Sequence, residues 1–164
     1  MSLPIPVKDL ISKPGTMKEL QLNHLLDYPL GTEVIAVAKG KELVLSVRLE
    51  SVHEGILVTV SGRAEASAEC SRCLEPMAED VEIELQELFQ YHPREEDDFV
   101  VAQDRIDLEQ ALIDAVVPNL PIKPLCREDC PGLCADCGEK LDAGTHEHQK
   151  PIDPRFDALK DFGG

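Results

Sequence analysis

Residues 56–70 read ILVTVSGRAEASAEC, and their alternation sets the fold class. Ile56, Val58, Val60, Ala64, Ala66 and Ala68 fall on one face. Thr59, Ser61, Arg63, Glu65, Ser67 and Glu69 fall on the other. A period of two over this length is the signature of a strand with one buried face. Gly62 interrupts the apolar face and is expected to mark a bulge. The buried side chains shrink from Ile and Val to Ala toward Cys70, which leaves room for another segment to approach that end of the sheet.

The same period flanks this stretch on both sides. Upstream, Leu43, Leu45, Val47 and Leu49 share a face, and residues 33–38 (EVIAVA) read as a shorter strand. Downstream, residues 76–91 place Val81, Ile83 and Leu85 on one side and Glu82, Glu84 and Gln86 on the other; the register is ambiguous over 87–89. Short turns such as Lys39-Gly40-Lys41 and His53-Glu54-Gly55 join these segments and favour an antiparallel meander. The first 30 residues, with Pro4, Pro6, Pro14, Gly15 and Pro29, are expected to be irregular. Residues 92–98 (HPREEDD) read as a solvated acidic loop.

A helix is expected over 107–117. Asp107 stands at the cap, Gln110 at the capping-box position, and Leu108, Leu112, Ala115 and Val116 form an apolar stripe. Pro118 and Pro121 end it. The class is therefore α+β: an antiparallel, curved or barrel-like sheet with one packed helix, spanning residues 1–120. Residues 121–164 form a second unit, a Cys/His lobe ending in a short amphipathic helix that starts at Asp153-Pro154 and carries Phe156, Leu159 and Phe162. The chain shows no internal repeat. With no Trp, two Tyr and four Phe, its core must be aliphatic.

Thirty-two acidic residues against 16 basic ones leave a formal charge of −16. Phosphate neutralisation dominates nucleic-acid affinity, so general nucleic-acid binding is disfavoured and basic partners are attracted instead. Scattered bases (Lys123, Arg127, Lys140, Lys150, Arg155, Lys160) are the candidates for any RNA contact. Residues 1–10 lack the apolar run of an export signal, and no stretch approaches a membrane span. A cytoplasmic protein is expected, and in a reducing compartment cysteines read as metal ligands before disulfides.

The candidate ligands are Cys70, Cys73, Cys126, Cys130, Cys134, Cys137, His146 and His148. Cys70/Cys73 and Cys134/Cys137 have the Cys-x-x-Cys spacing that turns two sulfurs toward one ion, and Gly138 can supply the positive φ such a turn needs. Structural zinc takes four Cys or His ligands. One partition uses every candidate: Cys70, Cys73, Cys126 and Cys130 in one site, and Cys134, Cys137, His146 and His148 in another. A single ribbon site of Cys70, Cys73, Cys134 and Cys137 is a second arrangement. A local site of Cys126, Cys130, Cys134 and Cys137 is a third. Cys70 also fits as a small buried hydrophobe, and the two histidines as an exposed tail. His24, His53 and His92 are isolated and read as surface residues. A closed four-ligand site stabilises rather than catalyses, and no nucleophile–base pair or phosphate loop stands out, so an enzyme is not expected.

Four segments resemble the YceD-like family of large ribosomal RNA subunit accumulation proteins: residues 69–76 (ECSRCLEP), 121–126 (PIKPLC) at the helix end, 130–138 (CPGLCADCG) and 153–159 (DPRFDAL). The resemblance implies a non-enzymatic role in large-subunit ribosomal RNA accumulation. Some relatives carry Cys-x-Cys where this chain has His146-Glu147-His148, which supports those positions as ligands. Others lack most of the cysteines, which implies that the metal stabilises. The expected partner is a basic ribosomal protein or a pre-large-subunit particle with its ribosomal RNA; no membrane or small-molecule substrate is expected. An acidic zinc-stabilised adaptor in transcription and a metal-buffering or redox protein are the alternatives.

Overall fold

The structure, a computed structural model, describes residues 2–141 and residue 155. Strands β1 (Pro4–Pro6), β2 (Met17–Leu25), β3 (Leu30–Gly31), β4 (Ile35–Val37), β5 (Glu42–Ser51), β6 (Gly55–Glu69), β7 (Pro76–Gln90) and β8 (Arg105–Asp107) precede helix α1 (Glu109–Val116). A 3-10 turn, Val117–Asn119, continues from α1 and contains Pro118.

Strand β6 is the spine of a curled antiparallel half-barrel. Along one edge it pairs with β7 over its whole length, from Gly55 opposite Gln90 to Glu69 opposite Pro76. Its other edge is shared. The first half pairs with β5, from Ser51 opposite Ile56 to Val44 opposite Arg63, and the far end pairs with β4 at Ser67 and Ala68. Because β4 crosses past β5, the order is β2-β5-β6-β4-β3 with β7 beside β6, rather than a simple meander.

Gly62 is not a bulge. Leu45, Gly62 and Ile83 stand in one-to-one register across three strands. The glycine is there for space: a Cβ would lie 2.7 Å from Leu45 Cδ2 and 2.9 Å from the Val44 carbonyl oxygen. The close β5–β6 approach occurs just before β6 changes partner from β5 to β4.

The inner face buries Leu43, Leu45, Val47, Leu49, Ile56, Val58, Val60, Ala66, Ile83 and Phe89, as the alternation requires. The ambiguous end of β7 keeps its phase: Glu87 lies opposite the buried Val58 yet is exposed, and Phe89, opposite Ile56, returns to the core. Helix α1 packs on β7 and β3 and buries Ala111, Leu112 and Val116.

The N-terminal segment is not irregular. Strand β2 pairs with β5 over nine residues, with Leu20 and Leu22 packed against the core. His24 lies half-buried on that same face, not on the open surface. Strand β1 pairs with β8, placing Ile5 opposite Ile106, and Leu3, Ile5, Val7 and Leu10 are buried. The buried Ser51 hydroxyl donates to the Leu10 carbonyl at 2.7 Å and ties this segment to β5.

Asp107 does not close a capping box. It sits in β8, and its Oδ1 accepts from the Glu109 N–H (3.1 Å) and the Leu3 N–H (2.8 Å) while Oδ2 accepts from Ser2 Oγ (2.6 Å). Gln110 donates forward to Asp114 at 2.7 Å rather than back to the cap. The C-terminal helix expected from Asp153-Pro154 lies outside the described residues.

Candidate metal centre

The β6–β7 hairpin ends in a six-residue turn, Cys70 to Glu75, closed by Glu69 opposite Pro76. The Cys70 N–H donates to the Glu75 carbonyl and the Leu74 N–H to the Cys70 carbonyl, both at 2.9 Å. Leu74 adopts φ 58°, the left-handed conformation usually left to glycine. These constraints turn Cys70 and Cys73 the same way, toward the segment that follows α1.

That segment is drawn over the hairpin tip by backbone contacts. The Ser71 N–H donates to the Pro124 carbonyl at 2.8 Å. Arg72 Nη1 donates to the carbonyls of Glu128 (3.2 Å) and Cys130 (2.9 Å). Gly132, with φ 82°, packs on Arg72, where a Cβ would come within 3.0 Å of the Arg72 carbonyl oxygen. The result is a small cluster of buried Cys70, Cys73 and Cys130 with Met77, Leu125 and Leu133, joined to the main core through Met77, which packs against both.

The sulfurs of Cys70, Cys73, Cys126 and Cys130 all lie within 4.8 Å of one another. Cys70 and Cys130 are 3.8 Å apart and Cys73 and Cys126 are 3.7 Å apart. A tetrahedral zinc with Zn–S bonds of about 2.3 Å has S···S edges of about 3.8 Å, so these residues fit the ion. The electrostatics favour a thiolate. Backbone N–H groups of Cys126, Cys73 and Arg72 aim at Cys70 and pull its thiol down to about 6. Cys126 is pushed up to about 12, first by its hydrogen bond with Cys130.

Of the other candidate ligands, Cys134 and Cys137 stand on a separate turn outside this cluster. His146 and His148 lie outside the described residues. Neither the ribbon pairing nor the local four-cysteine set is the group that the structure gathers. The spacing pointed to the cysteines but not to Arg72 and Gly132, whose contacts draw the segment after α1 over the hairpin tip. Lys140 forms an ion pair with Glu75, and Arg127 pairs with Asp129 at 3.5 Å, so two of the candidate bases are matched to acids.

Fold and site together define a small β half-barrel whose longest hairpin carries a cluster of four cysteines that could hold a metal ion. The chain belongs to the YceD family: residues 58–163 match the model described as large ribosomal RNA subunit accumulation protein YceD. It is similar to uncharacterized proteins of Mycobacterium tuberculosis and Mycobacterium bovis, at 41% identity over 98% of this chain and 81% of theirs. An uncharacterized protein of Mycobacterium leprae is 39% identical over 92% of this chain and 72% of its own length. No solved structure matches significantly. Among the described residues no helix is long and apolar enough to cross a membrane.

Proposed function

We propose that this protein is a non-enzymatic factor in large ribosomal subunit biogenesis that holds a basic ribosomal protein on the outer face of β6 and β7. Family membership supports the process, and one structural observation supports the partner. The outer face of these two strands exposes Glu65, Glu69, Asp80, Glu82 and Glu84, with Arg63 as its single base. Glu65 stands directly opposite Asp80, a like-charge pair that costs stability in the free protein. Arg63 and Lys41 each engage one carboxylate, Glu82 at 2.9 Å and Glu65 at 3.1 Å. A lysine- or arginine-rich partner relieves the remaining repulsion and is steered by the same field.

Zinc in the Cys70–Cys73–Cys126–Cys130 site serves this function indirectly. It supplies a closed, four-thiolate staple between the hairpin tip and the residues after α1, with no open position for a substrate. Residues 121–164 then behave as a zinc-organised lobe on the sheet domain of residues 1–120.

Sedimentation of cell extract is the first test: the protein should travel with pre-large-subunit particles. Binding to purified large-subunit proteins should weaken in Glu65→Gln/Asp80→Asn, while the free variant becomes more stable. Salt-dependent binding to ribosomal RNA alone, with no ribosomal protein bound, refutes the proposal.

A further inference from the structure

Strand β2 is a nine-residue edge, and the ends of its ladder with β5 fix which of its backbone groups face outward. The Ser51 N–H donates to the Thr16 carbonyl (2.9 Å) and the Leu26 N–H to the Lys41 carbonyl (3.0 Å), and the register runs unbroken between them. In an antiparallel ladder the residues that bond the neighbour alternate along the strand. The even-numbered residues of β2 therefore bond β5. The N–H and carbonyl groups of Met17, Glu19, Gln21, Asn23 and Leu25 point to the other side, where no strand pairs among the described residues.

An edge of this length is a template for another strand unless proline, a bulge or charge guards it. Strand β2 has no proline, pairs one-to-one throughout, and its lysine, Lys18, is matched by Asp9 at 3.2 Å. The long edge on β7 is different: it carries Glu79, Asp80, Glu82, Glu84 and Glu87 with no base, and helix α1 packs on that strand. In a chain of charge −16, two copies of β7 repel each other. Strand β2 holds one acid and one base besides His24, so two copies can meet there, and it has too little charge to draw a basic partner.

One register of self-pairing uses the whole strand. Antiparallel pairing about a two-fold axis at Gln21 sets Gln21 opposite Gln21, Glu19 opposite Asn23, and Met17 opposite Leu25 of the second copy. All of these residues turn their N–H and carbonyl groups outward, so each pair exchanges two bonds, about ten in all. On the outer face Met17 and Leu25, 53% and 60% exposed in the single chain, cover each other. On the half-buried face Leu20 meets Leu22, and Lys18, with Asp9 beside it, meets His24. An axis at Glu19 opposes two carboxylates, and an axis at Asn23 leaves Met17 and Glu19 beyond the end of the second strand. We infer that β2 is a dimerisation edge, through which two copies of this chain join their half-barrels into one continuous sheet in the Gln21-centred register. The inference uses neither the metal nor the ribosomal reading.

The test is sedimentation equilibrium of the full-length protein, with hydrogen exchange at rising concentration. The wild type should form a dimer that tightens with added salt, because salt screens the repulsion between two acidic chains; binding of a basic protein weakens under the same change. The amides of Glu19, Gln21 and Asn23 should slow as the dimer fills. Asn23→Glu puts a carboxylate opposite Glu19 twice across the axis and should weaken the dimer roughly 2- to 30-fold. Asn23→Lys should tighten it by a similar factor, well beyond Glu96→Gln, which makes the same change in net charge in the 92–98 loop. Gln21→Pro removes only an outward N–H and should leave a folded monomer with an unchanged circular dichroism spectrum. A wild type that stays monomeric at millimolar concentration overturns the inference. So does a dimer indifferent to both Asn23→Glu and Gln21→Pro, which joins through another surface. Slow exchange of the three amides in a monomer assigns the edge to a segment of the same chain and overturns it as well.

Discussion

Withdrawing zinc should open the lobe and leave the half-barrel folded. Beyond the main core, the lobe buries Cys70, Cys73 and Cys130, each worth about 1 kcal/mol as a small apolar side chain. Structural zinc contributes roughly 10–16 kcal/mol of apparent binding free energy. The sheet, by contrast, keeps all its large buried residues in a cluster that does not include the cysteines. Hydrogen exchange before and after chelation reads the two parts separately. The amides of Cys70, Ser71, Leu74 and Cys130 are hydrogen-bonded only within the lobe. Losing even ~4 kcal/mol of local stability speeds their exchange about 1000-fold. Opening should run into the end of the hairpin, where Ala66 and Ala68 offer little side chain to pack, and stop near the buried Val81. Amides of Val47, Val58 and Val60 should be unchanged. Unchanged exchange at Cys70–Leu74 after complete metal removal refutes the reasoning, and so does loss of protection throughout β5 and β6.

Three further outcomes follow from individual contacts. Gly62→Ala should destabilise the protein by about 1–3 kcal/mol in urea melts, because the new methyl meets the Val44 carbonyl oxygen and Leu45; an unchanged midpoint would show that the strands separate freely there. Leu74→Gly should stabilise by up to about 1 kcal/mol, since it removes a left-handed leucine whose side chain is 59% exposed; a clear loss of stability would contradict this. Burial pushes Asp107 up, but hydrogen bonds from Ser2, Leu3 and Glu109 outweigh it and hold the carboxyl below its usual range. That stabilisation is present above the unfolded value of about 3.9 and is lost as pH falls through the lower native value. Asp107→Asn should therefore cost about 1 kcal/mol near neutral pH, with the gap closing in acid; an equal gap at about pH 7 and about pH 2 would assign the effect to something other than charge.

Alternation exposed β5, β6 and β7 in the sequence because each has one face in the core and one in water. Strand β2 was hidden because it is an edge: its inner face is only half-buried, and Lys18 and His24 occupy places that apolar residues fill elsewhere. Strand β1 was hidden by its prolines, which an edge strand tolerates because no ladder needs their missing N–H. Gly62 looked like a bulge because a missing side chain in a strand has two causes, and spacing cannot separate an extra residue from a close neighbour. At the candidate metal centre, the set of Cys70, Cys73, Cys126 and Cys130 was one of three arrangements that the spacing allowed, and it is the one the structure gathers. Cys-x-x-Cys names ligand pairs, but the choice of Cys126 and Cys130 as partners for the first pair depends on Arg72 reaching two carbonyls more than 50 residues away.

The pairing of Ile5 with Ile106 has a consequence during synthesis. Ribosomes add about 5–20 residues per second, so roughly 5–20 seconds pass between the emergence of β1 and that of its partner β8. For that interval Leu3, Ile5, Val7 and Leu10, all buried in the finished fold, lack the part of their packing surface that β8 supplies. They form an apolar stretch of the nascent chain that a chaperone can hold until residue 106 arrives.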